Sequence, residues 1–218
     1  MKIRLFCLTV LLLVAASVSA EEWKRDFTVG AHPQLRVQTN DAGVEVRGAP
    51  GNTISARIVA EGRHIGPGEL SVNAQQNGDS VTLQVKIPER HIHFNFSQRP
   101  VRIEISVPEI TVLDLSSSDG SLRISGIRGD ARLGTSDGSI RVDNFDGNLH
   151  AHTADGSVEV SGRFDLLDLS TSDGHIDLQL PVEVSGRVEK NRVRGKIRGG
   201  GPTLQIHTSD GSITLRSL

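Results

Sequence analysis

The chain has 218 residues, with 24 basic and 26 acidic side chains and a formal charge of −2. This near balance excludes a general nucleic-acid binder, which needs a clear excess of basic residues. The single cysteine, Cys7, lies in a segment that we expect to be removed, so the remaining chain offers neither a disulfide nor a thiol centre.

Residues 1–20 have the pattern of an export signal. Lys2 and Arg4 precede a short apolar run, and Val18-Ser19-Ala20 supplies small residues at the cleavage position. The run is too short for a comfortable transmembrane helix. We therefore expect cleavage, a mature chain that begins at Glu21, and a periplasmic or secreted location in a bacterial cell envelope. Loss of the two basic residues takes the count from 24 to 22 against 26 acidic side chains, a formal charge of −4.

Apolar and polar residues alternate with period 2 after the leader, and helical periodicity is absent. Such alternation is typical of β-strands with one buried face. It covers Ile54–Ala60, Leu70–Ala74, Val81–Ile87 and Val101–Val107, and Asn77-Gly78-Asp79 forms a turn signal between the second and third of these runs. The sequence thus predicts a nearly all-β protein, in which residues 21–110 form an irregular N-terminal β part.

An Asp-Gly-Ser tripeptide, or a near copy, returns every 18 residues in the second half of the chain, with a longer interval before the last copy. The five turns are Asp119-Gly120, Asp137-Gly138, Asp155-Gly156, Asp173-Gly174 and Asp210-Gly211. A fixed period indicates a repeat architecture. We expect residues 111–218 to form regular repeats. Leu35–Val46 follows the same template with one inserted residue, so we expect a single domain over residues 21–218.

Two all-β architectures fit this period. In a β-solenoid each 18-residue unit is one coil, and Val142 lies beside Ile124 and Val160 in parallel neighbouring strands. In an antiparallel β-meander or sandwich each unit is a hairpin, and the strands pair across Asp137-Gly138. The constant spacing favours the solenoid, because stacking in register requires coils of equal length.

Recurrent turns of the form Thr/Ser-Ser-Asp-Gly-Ser-Ile, a Val107-Pro108-Glu109 segment and the leader occur together. In these features the chain resembles the bacterial putative-adhesin family, a domain of unknown function, over roughly Phe27 to the C-terminus. It is also similar to the GIN head domain of putative autotransporter adhesins. The resemblance implies a right-handed single-stranded β-helix and an envelope location, and it brings no catalytic residues.

The repeated aspartates raise the question of a calcium ladder. Each turn offers one carboxylate, fewer than the several oxygen ligands that calcium needs. We expect the Asp to bond nearby backbone and the Gly to permit a positive φ, so the turns are structural and the protein needs no metal or other cofactor. The pairs His91/His93 and His150/His152 each share a strand face, but no third zinc ligand is evident, and we interpret them as exposed faces.

A basic cluster occupies the long interval between the last two turns. Its members are Arg187, Lys190, Arg192, Arg194, Lys196 and Arg198. Such a cluster can contact anionic polysaccharide or lipid headgroups at the envelope. The same charges can instead protect a solvated sheet edge from pairing with another chain.

No nucleophile elbow, phosphate loop or zinc-protease motif is present. The favoured function is therefore a non-enzymatic, adhesin-like binding or structural module of the envelope, with an unidentified partner there. The alternative from another class is a polysaccharide-acting β-helix enzyme, which requires two carboxylates held across a groove at glycosidase separation.

Overall fold

The computed structural model describes residues 20–88, 100–180, 184–189, 191–197 and 203–217, and the described chain consists of strands and turns without helix. The strands of the N-terminal half are β1 (Ala20–Thr28), β2 (Gln34–Thr39), β3 (Gly43–Ala49), β4 (Thr53–Glu61), β5 (Ser71–Asn77), β6 (Ser80–Lys86) and β7 (Val101–Pro108). Those of the C-terminal half are β8 (Val112–Ser116), β9 (Leu122–Ser125), β10 (Arg128–Gly134), β11 (Ile140–Thr153), β12 (Val158–Thr171), β13 (His175–Leu180), β14 (Val184–Glu189), β15 (Arg192–Ile197), β16 (Thr203–Thr208) and β17 (Ser212–Ser217).

The strand pairings form two ladders. The first ladder runs β1-β4-β7-β3-β9-β11-β12-β13-β17, and the second runs β5-β6-β2-β8-β10-β11-β12-β16-β15-β14. Strands β11 and β12 are 14 residues long and pass from the first ladder into the second. They join the two ladders into one 17-stranded mixed sheet that is barrel-like and nearly closed.

The 18-residue period appears as parallel register in the middle of this sheet. Val142 pairs with Ile124 on one side and with Val160 on the other, as the stacked arrangement predicts. The segments that directly flank Asp137-Gly138 do not pair with each other: β10 pairs in parallel with β8 and with the second part of β11, whereas Ile140–Val142 at the start of β11 pairs with β9 and β12. The hairpin alternative is therefore excluded for these repeats.

The fold class predicted for the whole domain, a right-handed single-stranded β-helix, is wrong. Five pairings are antiparallel: β1–β4, β4–β7, β5–β6, β14–β15 and β15–β16. They lie at the ends of the ladders, whereas the parallel pairings lie between them. The protein is a mixed β-sheet in which parallel pairing is confined to part of each ladder. The antiparallel meander or sandwich fails for the opposite reason, because the central pairings are parallel.

The N-terminal template is confirmed. Leu35 pairs with Leu113 and Val44 with Leu122, both in parallel, so β2 and β3 extend the two ladders by one more unit. The predicted turn Asn77-Gly78-Asp79 also forms, with β5 and β6 antiparallel around it and a φ of 56° at Gly78.

One core lies between the ladders. The predicted inward residues Ile140, Val142, Leu149 and Val158 are each at most 1 % exposed. Phe145 and Phe164 stack with their ring centroids 5.9 Å apart, where β11 and β12 bend from one ladder to the other. The alternation of the sequence therefore identifies the buried face correctly, because side chains on successive strand residues point to opposite faces.

Candidate functional site

The Asp-Gly turns stack in a column on one side of the sheet, and a hydroxyl, buried in all turns but the first, organises each turn. Thr153 Oγ1 accepts a hydrogen bond from Gly156 N at 3.2 Å and lies within donating distance of Gly138 O (3.0 Å) in the preceding turn. The residues with the matching role are Ser117, Thr135, Thr171 and Thr208. Each hydroxyl of the inner turns thus joins its own turn to the one before, which makes the column a structural element.

The turn glycines serve a purpose other than the predicted one. None of Gly120, Gly138, Gly156, Gly174 and Gly211 has a positive φ. A Cβ on any of them would instead overlap a backbone carbonyl oxygen of the preceding turn. Glycine is required because stacked turns bring their backbones into contact, so the predicted positive φ is wrong.

The aspartate side chains also differ from expectation. The carboxylates of Asp119, Asp137, Asp155, Asp173 and Asp210 are exposed, and within the described residues they accept no hydrogen bond and form no ion pair. The Ser and Thr hydroxyls make the predicted backbone bonds in their place. The described residues contain no group of three potential metal ligands. The column therefore presents a row of like charges that solvent stabilises.

The histidines of β11 share an outward face as predicted. His150 Nδ1 lies 3.6 Å from Asp168 Oδ2, and His152 Nδ1 lies 2.9 Å from Ser170 Oγ. Each imidazole thus has one polar neighbour on β12, which suits a solvated sheet face. His91 and His93 lie outside the described residues.

The basic cluster forms a hairpin at the end of the second ladder. Arg192, Arg194 and Lys196 are exposed on β15, while Val193 between them is fully buried. The three side chains therefore share the outward face of a strand that is anchored on its inward face. Their partners across β16 are His207, Gln205 and Thr203, none of them acidic.

The other members of the basic cluster lie on β14 or outside the described residues. On β14 the Cα partners of Arg192, Arg194 and Lys196 are Glu189, Arg187 and Ser185. Lys190 and Arg198 lie outside the described residues. The structure thus brings together three of the six predicted basic side chains on one described face.

A groove that the sequence analysis did not identify runs along the corner opposite the turn column. It has a volume of about 590 Å³, and its lining includes Glu109, Arg128, Asn144, Asp146 and Arg163. Asn144 has a φ of 52° where β11 bends, and it is the one described non-glycine residue with a positive φ. Bends and register shifts of this kind open a sheet edge and redirect its side chains.

A second hollow of about 340 Å³, lined mainly by Gly, Ala and Pro, adjoins the corner groove and shares Glu109 with it. Its lining residues are Gly30, Ala31, Pro33, Ala49, Pro50, Gly51, Pro108, Glu109 and Ile110. Ile110 is 65 % exposed and Val112 is 41 % exposed, and they are the exposed large hydrophobic residues of the described chain. Thr111 between them is buried, so here the apolar residues face solvent and the polar residue faces the core. The sequence Ile110-Thr111-Val112, with apolar residues at the outward-facing positions, was the signal that could have identified this surface.

Residues 102–216 match the family model described as Toastrack DUF4097, which is more than half of the chain, and the protein belongs to that family. A comparison with curated proteins gave no match. The fold is similar to a crystal structure of a putative cell adhesion protein from Clostridium sporogenes ATCC 15579. That structure has 12 % identity and a TM-score of 0.51 over 91 % of this chain and 100 % of the other.

Two further structures have lower similarity. A putative adhesin from Bacteroides fragilis NCTC 9343 has 13 % identity and a TM-score of 0.32, over 92 % of this chain and 99 % of the other. A putative lipid binding protein from Parabacteroides distasonis ATCC 8503 has 10 % identity and a TM-score of 0.24, over 89 % and 96 %. In the part of the chain that the structure describes, no helix combines the length and the apolar character of a membrane span.

Proposed function

We propose that the protein is an exported, non-enzymatic binding module of the bacterial envelope that contacts anionic groups through the outward face of β15. The observation that carries the proposal is the exposure of Arg192, Arg194 and Lys196 on one face of a strand with a buried inward face. A row of cations on the outward face of one strand suits a repeating anionic surface, such as an acidic polysaccharide or a layer of lipid headgroups. The adhesin-like role is the one that the Clostridium sporogenes protein of similar fold bears in its description.

The geometry of the acidic residues favours binding over catalysis. The turn carboxylates lie one above another on successive turns, whereas a glycosidase holds two carboxyl groups across a groove. The corner groove is lined by two carboxylates, Glu109 and Asp146, and Asp146 forms an ion pair with Arg163 at 3.8 Å. The stacking of the turn carboxylates and the pairing of Asp146 support the choice of a binding module over the polysaccharide-acting enzyme.

The fold is compatible with cleavage at the predicted position. Glu21, the expected first residue of the mature chain, accepts hydrogen bonds from Ile65 N at 2.9 Å and lies 2.8 Å from His64 Nδ1. Cleavage before Glu21 keeps these contacts and nearly all of β1. N-terminal sequencing of protein recovered from the periplasm or medium should start at Glu21, and a recovered chain that retains Met1 would contradict export by cleavage.

Binding is tested by replacing Arg192, Arg194 and Lys196 with Ser. The wild-type protein should co-sediment with vesicles that contain an anionic phospholipid, or bind an acidic polysaccharide, and this binding should weaken steeply as salt rises from about 0.05 to 0.5 M. The triple variant should lose it. A matched control replaces Lys24, Lys86 and Arg123 with Ser, which removes the same charge from exposed positions elsewhere. Equal binding by the two variants would contradict the proposal.

A further inference from the structure

The large hydrophobic residues that are exposed in the described chain, Ile110 and Val112, lie on a corner face that we call the Ile110 face. It comprises these two residues, Glu109, Arg128 and the hollow lined by Gly, Ala and Pro beside them. Val112 N donates a hydrogen bond to Pro33 O at 3.0 Å, which holds Val112 against the rim of the hollow. The projecting Ile110, the exposed Val112 and the hollow lined by Pro and Ala form one apolar patch, and contiguous patches of this kind are where soluble proteins make contacts.

Two opposite charges on this face are adjacent and unpaired. Arg128 N donates a hydrogen bond to Glu109 O at 2.7 Å, so the two backbones are in contact. Both side chains are exposed and line the same groove, yet within the described residues neither forms an ion pair or a side-chain hydrogen bond. The face thus offers one cation and one anion, unpaired among the described residues, next to a projecting Ile and a hollow lined mainly by Gly, Ala and Pro.

We propose that the Ile110 face binds a second copy of the same chain across a two-fold axis. In a two-fold interface the same patch lies on both subunits, so every contact from residue i to residue j occurs twice. Ile110 of each copy then fills the hollow of the other, and Glu109 of each copy pairs with Arg128 of the other. This inference is independent of the function proposed for β15.

The charge of the Ile110 face favours a second copy of the chain over a lipid surface as its binding partner. Glu109 and Arg128 cancel, and the neighbouring Asp146 and Arg163 cancel as well, so the face has no net attraction for an anionic membrane. A patch that carries both signs is instead complementary to itself. A charge pair at the rim of an interface sets orientation and specificity, while the apolar centre supplies most of the stabilisation.

The proposal is tested by charge reversal, with the full chain expressed with its leader and the purified protein measured by sedimentation or light scattering. At about 1–100 µM, the range in which an interface of modest size assembles, the wild type should be a dimer. Glu109→Arg and Arg128→Glu should each be monomeric, because each single substitution places two like charges opposite each other across the two-fold axis. The double variant Glu109→Arg/Arg128→Glu should form the dimer again.

Two further variants separate the interface from the fold. Ile110→Lys should be monomeric, and Arg123→Glu, a charge reversal on the first ladder, should remain a dimer. All four positions are exposed, so the variants should keep the far-ultraviolet spectrum and melting profile of the wild type. A wild type that is monomeric throughout the range would overturn the proposal, as would a folded double variant that stays monomeric while both single variants are also monomeric.

Discussion

Gly138 lies directly against the carbonyl oxygen of Gly120 in the preceding turn, and no side chain fits between the two backbones. The same relationship links Gly156 to Gly138 and Gly174 to Gly156. The glycines are therefore required by the stacking of turns, and this requirement can be separated experimentally from the general effect of replacing glycine.

Gly138→Ala should destabilise the protein by about 1–3 kcal/mol or more, because the new methyl group must displace backbone in a closely packed column. Gly134→Ala is the matched control. A Cβ at Gly134 meets no atom within 4 Å and the φ there is not positive, so alanine should be neutral or stabilise by up to about 1 kcal/mol. Urea denaturation measures both changes, and equal stabilities of the two variants would contradict the stacking argument.

Thr153→Val should cost about 1–3 kcal/mol, because it leaves Gly156 N without its partner and removes the link to the preceding turn. Thr153→Ser keeps the hydroxyl and should recover most of the loss. Thr82→Val, on the outward side of β6, has no side-chain hydrogen bond to lose among the described residues. Thermal melts of the three variants check the prediction, which fails if Thr153→Val and Thr82→Val behave alike.

Leu149→Ala should destabilise by about 2–5 kcal/mol, since Leu149 is fully buried and the truncation leaves a cavity between stacked strands. Arg141→Ala changes an exposed residue of the same strand and should cost about 0.5 kcal/mol or less. Its ion pair with Glu159 at 2.6 Å joins two half-exposed side chains and is weakened by solvent. Chemical denaturation distinguishes the two, and a large loss for Arg141→Ala would show that the outward charge row stabilises the sheet.

Calcium should not change the stability of the protein. Each turn contributes a single carboxylate, and calcium needs six to eight oxygen ligands. Melting temperatures with a chelator and with millimolar calcium should therefore coincide. A marked rise with calcium would mean that the native state binds the ion and that the aspartate column is a ligand set.

Sequence reasoning predicted the residues of the buried face well and the course of the chain less well. Ile140, Val142 and Leu149 were placed inward because alternation has the same period as the strand pleat. The directions of β4 and β15 were not predicted, because parallel and antiparallel strands show the same alternation. The backbone bonds within the turns were assigned to the aspartates, whereas the Ser and Thr hydroxyls make them.

The corner groove shows a similar limit. Glu109 and Arg128 are 19 residues apart and meet because β10 stacks on β8. The inverted alternation at Ile110 and Val112 was present in the sequence, yet its meaning depends on which surface the two residues occupy. A pattern of exposed apolar residues therefore becomes a candidate interface only when the fold places a hollow beside it.

The sequence by itself determined the strands, their inward faces and the 18-residue register of the central repeats. Stacking of equal units requires constant length, and burial requires alternation, so both properties leave a direct record in the order of residues. Only the tertiary structure decided the antiparallel ends of the ladders, the joining of the ladders through β11 and β12, and the corner face. These features depend on strand direction and on contacts between distant segments, and a short-range periodicity carries no information about either.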